Sequence, residues 1–346
     1  MFRTILLTSL ATVALGLDLT VKLNAVSSSV ASIEDVIITA VVSNPTTEDI
    51  KVLKFASVLD DLPTKSFGVR KGSDDVVFTG IEVIPDLEND ASFVTIPAGG
   101  SLAVNHTVSA LYDFETAGAG TYTFSPRADW VVSEEGASHT LLPISEAISV
   151  EIEITEDVAQ RPVFPPLNQL STPVCNDANR KNFIAAALSE ARALAGGAAA
   201  DIRSRPNSAQ YTSYFNNNNR DDVWYNFDRI AGDLASSGSR RCVTAGGACS
   251  NAGVVAYTLL VTSGGNIIYM CNGFFGMRAT NDVCSGAAFS STRGNVMLHE
   301  LAHAVFKAED VVYGCDGSRG LSEANKKKNA DNYSCMALQI KRDFAC

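Results

Sequence analysis

All eight cysteines of this 346-residue chain lie in its second half, from Cys175 to Cys346, and that constrains the fold more than any other feature. Charge divides the same way. Residues 17–170 carry 8 Lys and Arg against 23 Asp and Glu, and residues 171–346 carry 18 against 15. An acidic, cysteine-free stretch before a near-neutral, cysteine-rich one is expected to fold as two units. Residues 1–16 read as a secretory leader: Arg3, an apolar core from Ile5 to Leu15, and a small-x-small site at Ala14-Leu15-Gly16. The core is too short to span a bilayer, and no later apolar run reaches that length. The chain is therefore expected outside the cell, where eight cysteines imply up to four disulfides. None has the CxxC spacing of a structural zinc site. The acidity of the first half argues against nucleic acid as a partner, and no membrane partner is expected.

The organisation is α+β. Residues 17–157 are expected to form an all-β, sandwich-like domain. Leu17 to Leu23, Val36 to Val42 and Ile148 to Ile154 alternate apolar and polar side chains between turn signals such as Asn44-Pro45 and Gly72-Ser73-Asp74. Asn105-His106-Thr107 is a glycosylation sequon expected on an exposed turn. The proline-rich residues 158–174 form a linker. Cleavage there is open between Arg161, which precedes a proline, and a self-made cut near Leu170 or Ser171.

Residues 175–346 read as mainly helical. Ile184, Ala187, Leu188, Ala191 and Leu194 mark one helix face, capped by Asn176 or Asp177. Val223, Phe227, Ile230 and Leu234 mark another. Asn216 to Asn219 is expected as a solvated loop and Lys326 to Lys328 as a wet helix face. Val254 to Val261 and Ile267 to Met270 read as a hairpin. Met297 to Phe306 and Ser322 to Phe344 are the last two expected helices.

His299-Glu300-Leu301-Ala302-His303 carries the chemistry. Residues i and i+4 share a helix face, so both imidazoles can reach one metal ion, with Glu300 beside it to take a proton from an attacking water. A zinc hydrolase normally needs a third protein ligand. The second half has no further histidine, so this ligand is expected to be a carboxylate. Spacing leaves Glu323 and Asp331 open.

The segment resembles deuterolysin, the fungal aspzincin family of zinc endopeptidases. The resemblance rests on His299 to His303, on Asp310-Val311-Val312-Tyr313-Gly314 and on Asn329-Ala330-Asp331-Asn332-Tyr333, and extends back to Cys175. It implies a zincin-like catalytic domain binding one Zn2+ per chain. It implies His299, His303 and Asp331 as ligands and Glu300 as the general base. Asp310 would accept the free ring N–H of a ligand histidine, and Tyr313 would donate to the oxyanion. The family usually has Gly-Thr before Asp310, where this chain has Phe306 and Lys307, so the pocket beyond the scissile bond is expected to differ. The implied disulfides are Cys175–Cys242, Cys249–Cys271 and Cys284–Cys346, leaving Cys315 to pair with Cys335. Ser334 stands where the lysine-selective branch has an acid, so strict lysine selectivity is not expected. Asn332-Tyr333-Ser334 is a second sequon, expected to stay unmodified beside the site.

These features together point to a secreted, monomeric zinc endopeptidase made as a zymogen. Its substrates would be proteins and peptides, and its own β domain would act as chaperone and inhibitor, drawn in by opposite net charge. The competing class is a secreted metal-binding effector with a degenerate site. Its signature would be a missing base or ligand, and neither is missing.

Overall fold

The computed structural model describes residues 17–127, 129–134, 138–161, 175–232, 240–242, 247–260 and 266–346. The leader, Leu170, Ser171, Leu234 and most of the linker lie outside the described residues, as do the side chains of 240–242.

The first half contains β1 (Leu17–Ala25), β2 (Ser29–Ser32), β3 (Ile37–Ser43), β4 (Ile50–Leu53), β5 (Phe67–Lys71), β6 (Asp74–Asp75), β7 (Ile81–Pro85), β8 (Phe93–Ile96), β9 (Ser101–Thr107), α1 (Phe114–Ala117), β10 (Gly120–Pro126), β11 (Asp129–Glu134), β12 (Ser138–Ile148) and β13 (Val150–Asp157). Twelve of these strands make two sheets, β8-β4-β11-β12-β1-β3-β9 and β2-β13-β10-β5-β6. Period-two alternation sends Leu19, Val21 and Leu23 of β1 and Ile38, Ala40 and Val42 of β3 inward. There they meet Tyr122, Phe124, Ile152 and Ile154 of the facing sheet. Each such side chain contributes roughly 1.5–3 kcal/mol on full burial. Asn105 is exposed on edge strand β9 rather than on a turn, and its Oδ1 accepts the Thr39 hydroxyl at 2.7 Å.

The second half contains α2 (Ala178–Ser204), α3 (Ala209–Phe215), α4 (Arg220–Ala231), β14 (Arg240–Cys242), β15 (Val254–Leu259), β16 (Ile267–Met270), α5 (Arg293–Phe306), α6 (Cys315–Gly320), α7 (Glu323–Lys328) and α8 (Ala330–Phe344). The Asp177 carboxylate caps α2 by accepting the amides of Asn179 and Arg180. Ile184, Ala187, Ala191 and Leu194 then pack with Val296, Leu298 and Leu301 of α5 and Met336 and Leu338 of α8. Gly294 lets α5 lie against Thr280, whose hydroxyl occupies the space a Cβ would need. Disulfides join Cys249 to Cys271, Cys284 to Cys346 and Cys315 to Cys335. Cys175 is also disulfide-bonded, while the Cys242 side chain lies outside the described ones.

Two local expectations need correction. The final helix is two helices, because Asn329 breaks it with extended backbone (ψ 125°). The asparagine tetrad is the expected loop, with Asn217 and Asn219 exposed; within it Asn219 caps α4, and Asn218 donates to the carbonyls of Phe215 and Glu323. The lysine run is not uniformly wet. Lys326 is buried and donates to the Ser213 carbonyl and to Asn216, which gives its ammonium the partners a buried charge requires.

A third sheet joins the halves. Its order is β14-β16-β15-β7, so a strand of the first half completes a sheet of the second. Strand β7 runs antiparallel to β15, with Ile81 opposite Leu259, Glu82 opposite Thr258, Val83 opposite Tyr257 and Ile84 opposite Ala256. Lys65 pairs with Glu309 at 2.8 Å, and Arg127 donates to the carbonyls of Asp310 and Val311. These cations come from the acidic half, so this seam follows local pairing rather than net charge. No helix among the described residues is long and apolar enough to cross a membrane.

Candidate metal centre

Helix α5 is buried continuously from Gly294 to Ala304, so His299, Glu300 and His303 sit in the interior with no exposure. The helix ends at Lys307, in the left-handed region at φ 61°. The Ala308 amide then bonds the Ala302 carbonyl at 3.2 Å, and the Ala308 carbonyl comes back to His303. From there the chain runs directly to Asp310.

Each imidazole is held by its Nδ1. His303 Nδ1 lies 2.7 Å from the Ala308 carbonyl, which can only accept, so that nitrogen carries a proton. His299 Nδ1 donates to Asp331 Oδ1, also at 2.7 Å. In the neutral form of each ring, Nε2 then presents a lone pair. The two Nε2 atoms lie 2.9 Å apart and face Asp310 Oδ1 at 3.1 and 3.2 Å, without hydrogen-bond geometry to that oxygen. A proton could bridge the two rings only if one imidazole were doubly protonated. Three lone-pair atoms converging in a buried site instead form a cradle for a cation, and His299, His303 and Asp310 fit one. Burial opposes charge on both rings, yet Asp310 outweighs it and raises both, His303 to about 9. Burial raises Asp310 in turn, but the two imidazoles pull it well below the usual carboxylate range.

The two aspartates thus occupy each other's expected places. Asp310 stands with the Nε2 atoms, and Asp331 holds the far side of the His299 ring while its Oδ2 accepts the Gly314 amide at 2.5 Å. Sequence spacing could not show this, because an imidazole offers two nitrogens pointing in opposite directions. Glu323, the other candidate, starts α7, where Asn217 donates to its carboxylate at 3.4 Å, and it is not in the cluster.

Glu300 Oε2 accepts the Thr258 hydroxyl at 2.6 Å, while Oε1 is buried without a partner. Burial raises its carboxyl to about 7. Tyr313 stacks on His299 with ring centroids 6.4 Å apart, and its buried hydroxyl also has no partner. Burial keeps that hydroxyl protonated, well above the ordinary phenol range. Asn329 Oδ1 accepts the amides of Val311 and Val312, fixing the loop between Asp310 and Tyr313. Asn332 is fully buried and donates to the Tyr214 and Ser318 carbonyls. On one side lies a cavity of about 1060 Å³ whose lining includes Ile84, Tyr313, Asp331, Arg319 and Arg342.

Sequence reasoning missed Thr258, Asn329 and Glu82. Thr258 and Glu82 are polar residues inside apolar runs of β15 and β7, and that interruption was the available signal. Glu82 is 2% exposed. Burial and then the Asp310 charge raise it to about 8.

A family model described as the deuterolysin metalloprotease (M35) family matches residues 2–344. A neutral protease 2 homolog from Pyricularia oryzae is 29% identical over 317 residues, 87% of each chain. Penicillolysin from Penicillium citrinum is 27% identical over 332 residues, 92% of each chain. A zinc peptidase from Grifola frondosa aligns with 47% of this chain and 96% of its own at 18% identity, and at a TM-score of 0.38 that likeness decides nothing about the fold. With a family match spanning almost the whole sequence and a buried two-histidine, one-aspartate cradle, the chain belongs to the deuterolysin metalloprotease family and is a metalloendopeptidase.

Proposed function

We propose that this protein is a secreted zinc endopeptidase made as a zymogen, acting on internal peptide bonds of proteins. One Zn2+ per chain would be held by His299, His303 and Asp310. Two imidazoles and one carboxylate form a donor set that zinc favours in hydrolases. The observation carrying this reading is the approach of three lone-pair atoms within 3.2 Å while both Nδ1 atoms already donate elsewhere. Bound zinc would supply Lewis acidity toward the scissile carbonyl and its attacking water.

The remaining work falls to the chain. Glu300, steadied by Thr258 through Oε2, has Oε1 free to accept the proton of the attacking water and pass it to the leaving amine. Tyr313 has an unengaged hydroxyl to donate to the oxyanion as it forms. Asp331 fixes the His299 tautomer and orientation, so that Nε2 is the nitrogen turned to a metal.

The β half, residues 17–157, would serve as propeptide, assisting folding and covering the cleft. The linker is the place for processing. Arg161 supports a cut farther along, near Leu170 or Ser171, because its guanidinium is already tied to Glu34 at 2.6 Å and Asp157 at 2.7 Å. The mature form would act as a monomer outside the cell. Metal analysis of purified protein, with casein digestion before chelation, after it and after zinc is restored, tests the reading. Digestion that persists in chelator, or purified protein that takes up no zinc, overturns it.

A further inference from the structure

We propose that β7, Ile81–Pro85, is the element that keeps the full chain latent, and that a cut in the linker alone does not remove it. The inference rests on the catalytic reading above and adds how the site is blocked. All five residues of β7 are buried, and the strand fills the free edge of β15. An unpaired strand edge is a template for an extended peptide. While β7 is paired there, no second strand can use it.

The register places the blockade over the reactive groups. Glu82 lies opposite Thr258, the residue whose hydroxyl holds Glu300. The Leu260 amide donates to the Gly80 carbonyl, so by alternation Glu82 and Ile84 exchange the ladder bonds with β15. The Val83 amide points the other way and donates to Asp310 Oδ2 at 3.1 Å. The peptide between Glu82 and Val83 thus turns its N–H toward the ligand cluster and its C=O toward β15. A cleavable bond must present its carbonyl to the metal, so the Glu82–Val83 bond lies at the centre in an orientation that resists hydrolysis. Ile84 packs into the helical core and Val83 joins Tyr257, Leu259 and Tyr313, so side chains hold the strand from both faces.

A second contact ties the first half to the segment that carries Asp310. Arg127 donates to Ala56 on its own half and to the carbonyls of Asp310 and Val311. None of these contacts passes through residues 162–174. Severing that segment leaves five paired residues, the Arg127 clamp and the Lys65–Glu309 pair intact. Release then requires strand separation or destruction of the first half.

The test uses the full-length chain loaded with zinc, with a site for a sequence-specific protease inserted between residues 162 and 171. Binding of a fluorescent peptide hydroxamate and hydrolysis of a quenched peptide are measured before the cut, after it, and after the first half is digested away. The cut protein should elute as one complex in gel filtration, with hydroxamate binding and hydrolysis each at least tenfold below the digested form. Ile84→Asp, or Val83→Pro, which removes the outward amide and restricts the strand backbone at residues 82 and 83, should abolish latency in the cut protein. Full hydroxamate binding by the uncut or cut wild type, or latency unchanged in both variants, overturns the proposal. Hydroxamate binding regained on digestion without any hydrolysis would support the strand blockade and instead overturn the catalytic reading.

Discussion

Asp331 and Asp310 contact opposite nitrogens of one imidazole: Asp331 Oδ1 lies 2.7 Å from His299 Nδ1, and Asp310 Oδ1 lies 3.1 Å from His299 Nε2. Equal in chemistry, they should differ in the cost of their loss. Asp310→Ala removes one of three atoms of the cradle and should abolish measurable zinc binding at micromolar metal. Asp331→Asn leaves the cradle whole but loosens the ring, and should weaken zinc roughly 10–100-fold. Competition against a chromophoric chelator separates the two. The reverse ranking would return Asp331 to the place the family resemblance first gave it.

Glu300→Gln should bind zinc and fold as the parent does, because the amide oxygen can still accept from Thr258. Turnover of the processed enzyme should fall by about 10²–10⁴-fold, the usual contribution of a positioned general base. A variant that keeps more than a tenth of parental kcat/KM would show that another group takes the proton.

Tyr313→Phe removes a buried hydroxyl that has no partner in the resting chain. Stability should hold or rise slightly, since an unsatisfied polar atom disappears. The kcat of the processed enzyme should fall by about 10²–10³-fold with little change in KM, as for loss of an oxyanion donor. A change confined to KM would mark Tyr313 as a wall of the substrate cavity.

Asp60 gives the β half a pH-dependent stability. Its carboxylate accepts the amides of Ala56 and Leu62 and the Thr64 hydroxyl, yet burial dominates and raises it to about 6 from an ordinary 3.8. The folded chain therefore holds this proton more tightly than the unfolded chain. Its stabilising contribution is complete below about pH 4 and is lost as pH climbs through about 6, a difference of about 3 kcal/mol. Denaturant midpoints of the parent and Asp60→Asn, compared at pH 4.5 and 7, measure it. Equal pH slopes in the two proteins would falsify this assignment.

The legible parts of the sequence were those set by periodicity. Leu19, Val21 and Leu23 face inward because a strand alternates, and His299 and His303 share a face because a helix turns every 3.6 residues. Direction was not legible. Nothing in the spacing says that Lys307 adopts φ 61° and turns the chain so that Asp310 reaches the Nε2 side. Partnership across the halves was equally hidden. Ile81 to Ile84 falls inside the stretch expected to be one all-β unit, and strand pairing depends on an edge becoming available elsewhere in the chain. The charge split drew attention to long-range attraction, whereas the seam carries Lys65 and Arg127 on its acidic side.

The sheet built from both halves has one more consequence. A protease that has shed its first half would also have shed the fourth strand of that sheet. Long-range β pairing is slow to assemble without a neighbouring edge to grow on. Once heated past its transition, the processed enzyme would lack the scaffold on which it first assembled. Its lifetime would then be governed by how slowly it opens rather than by any balance with a returning population.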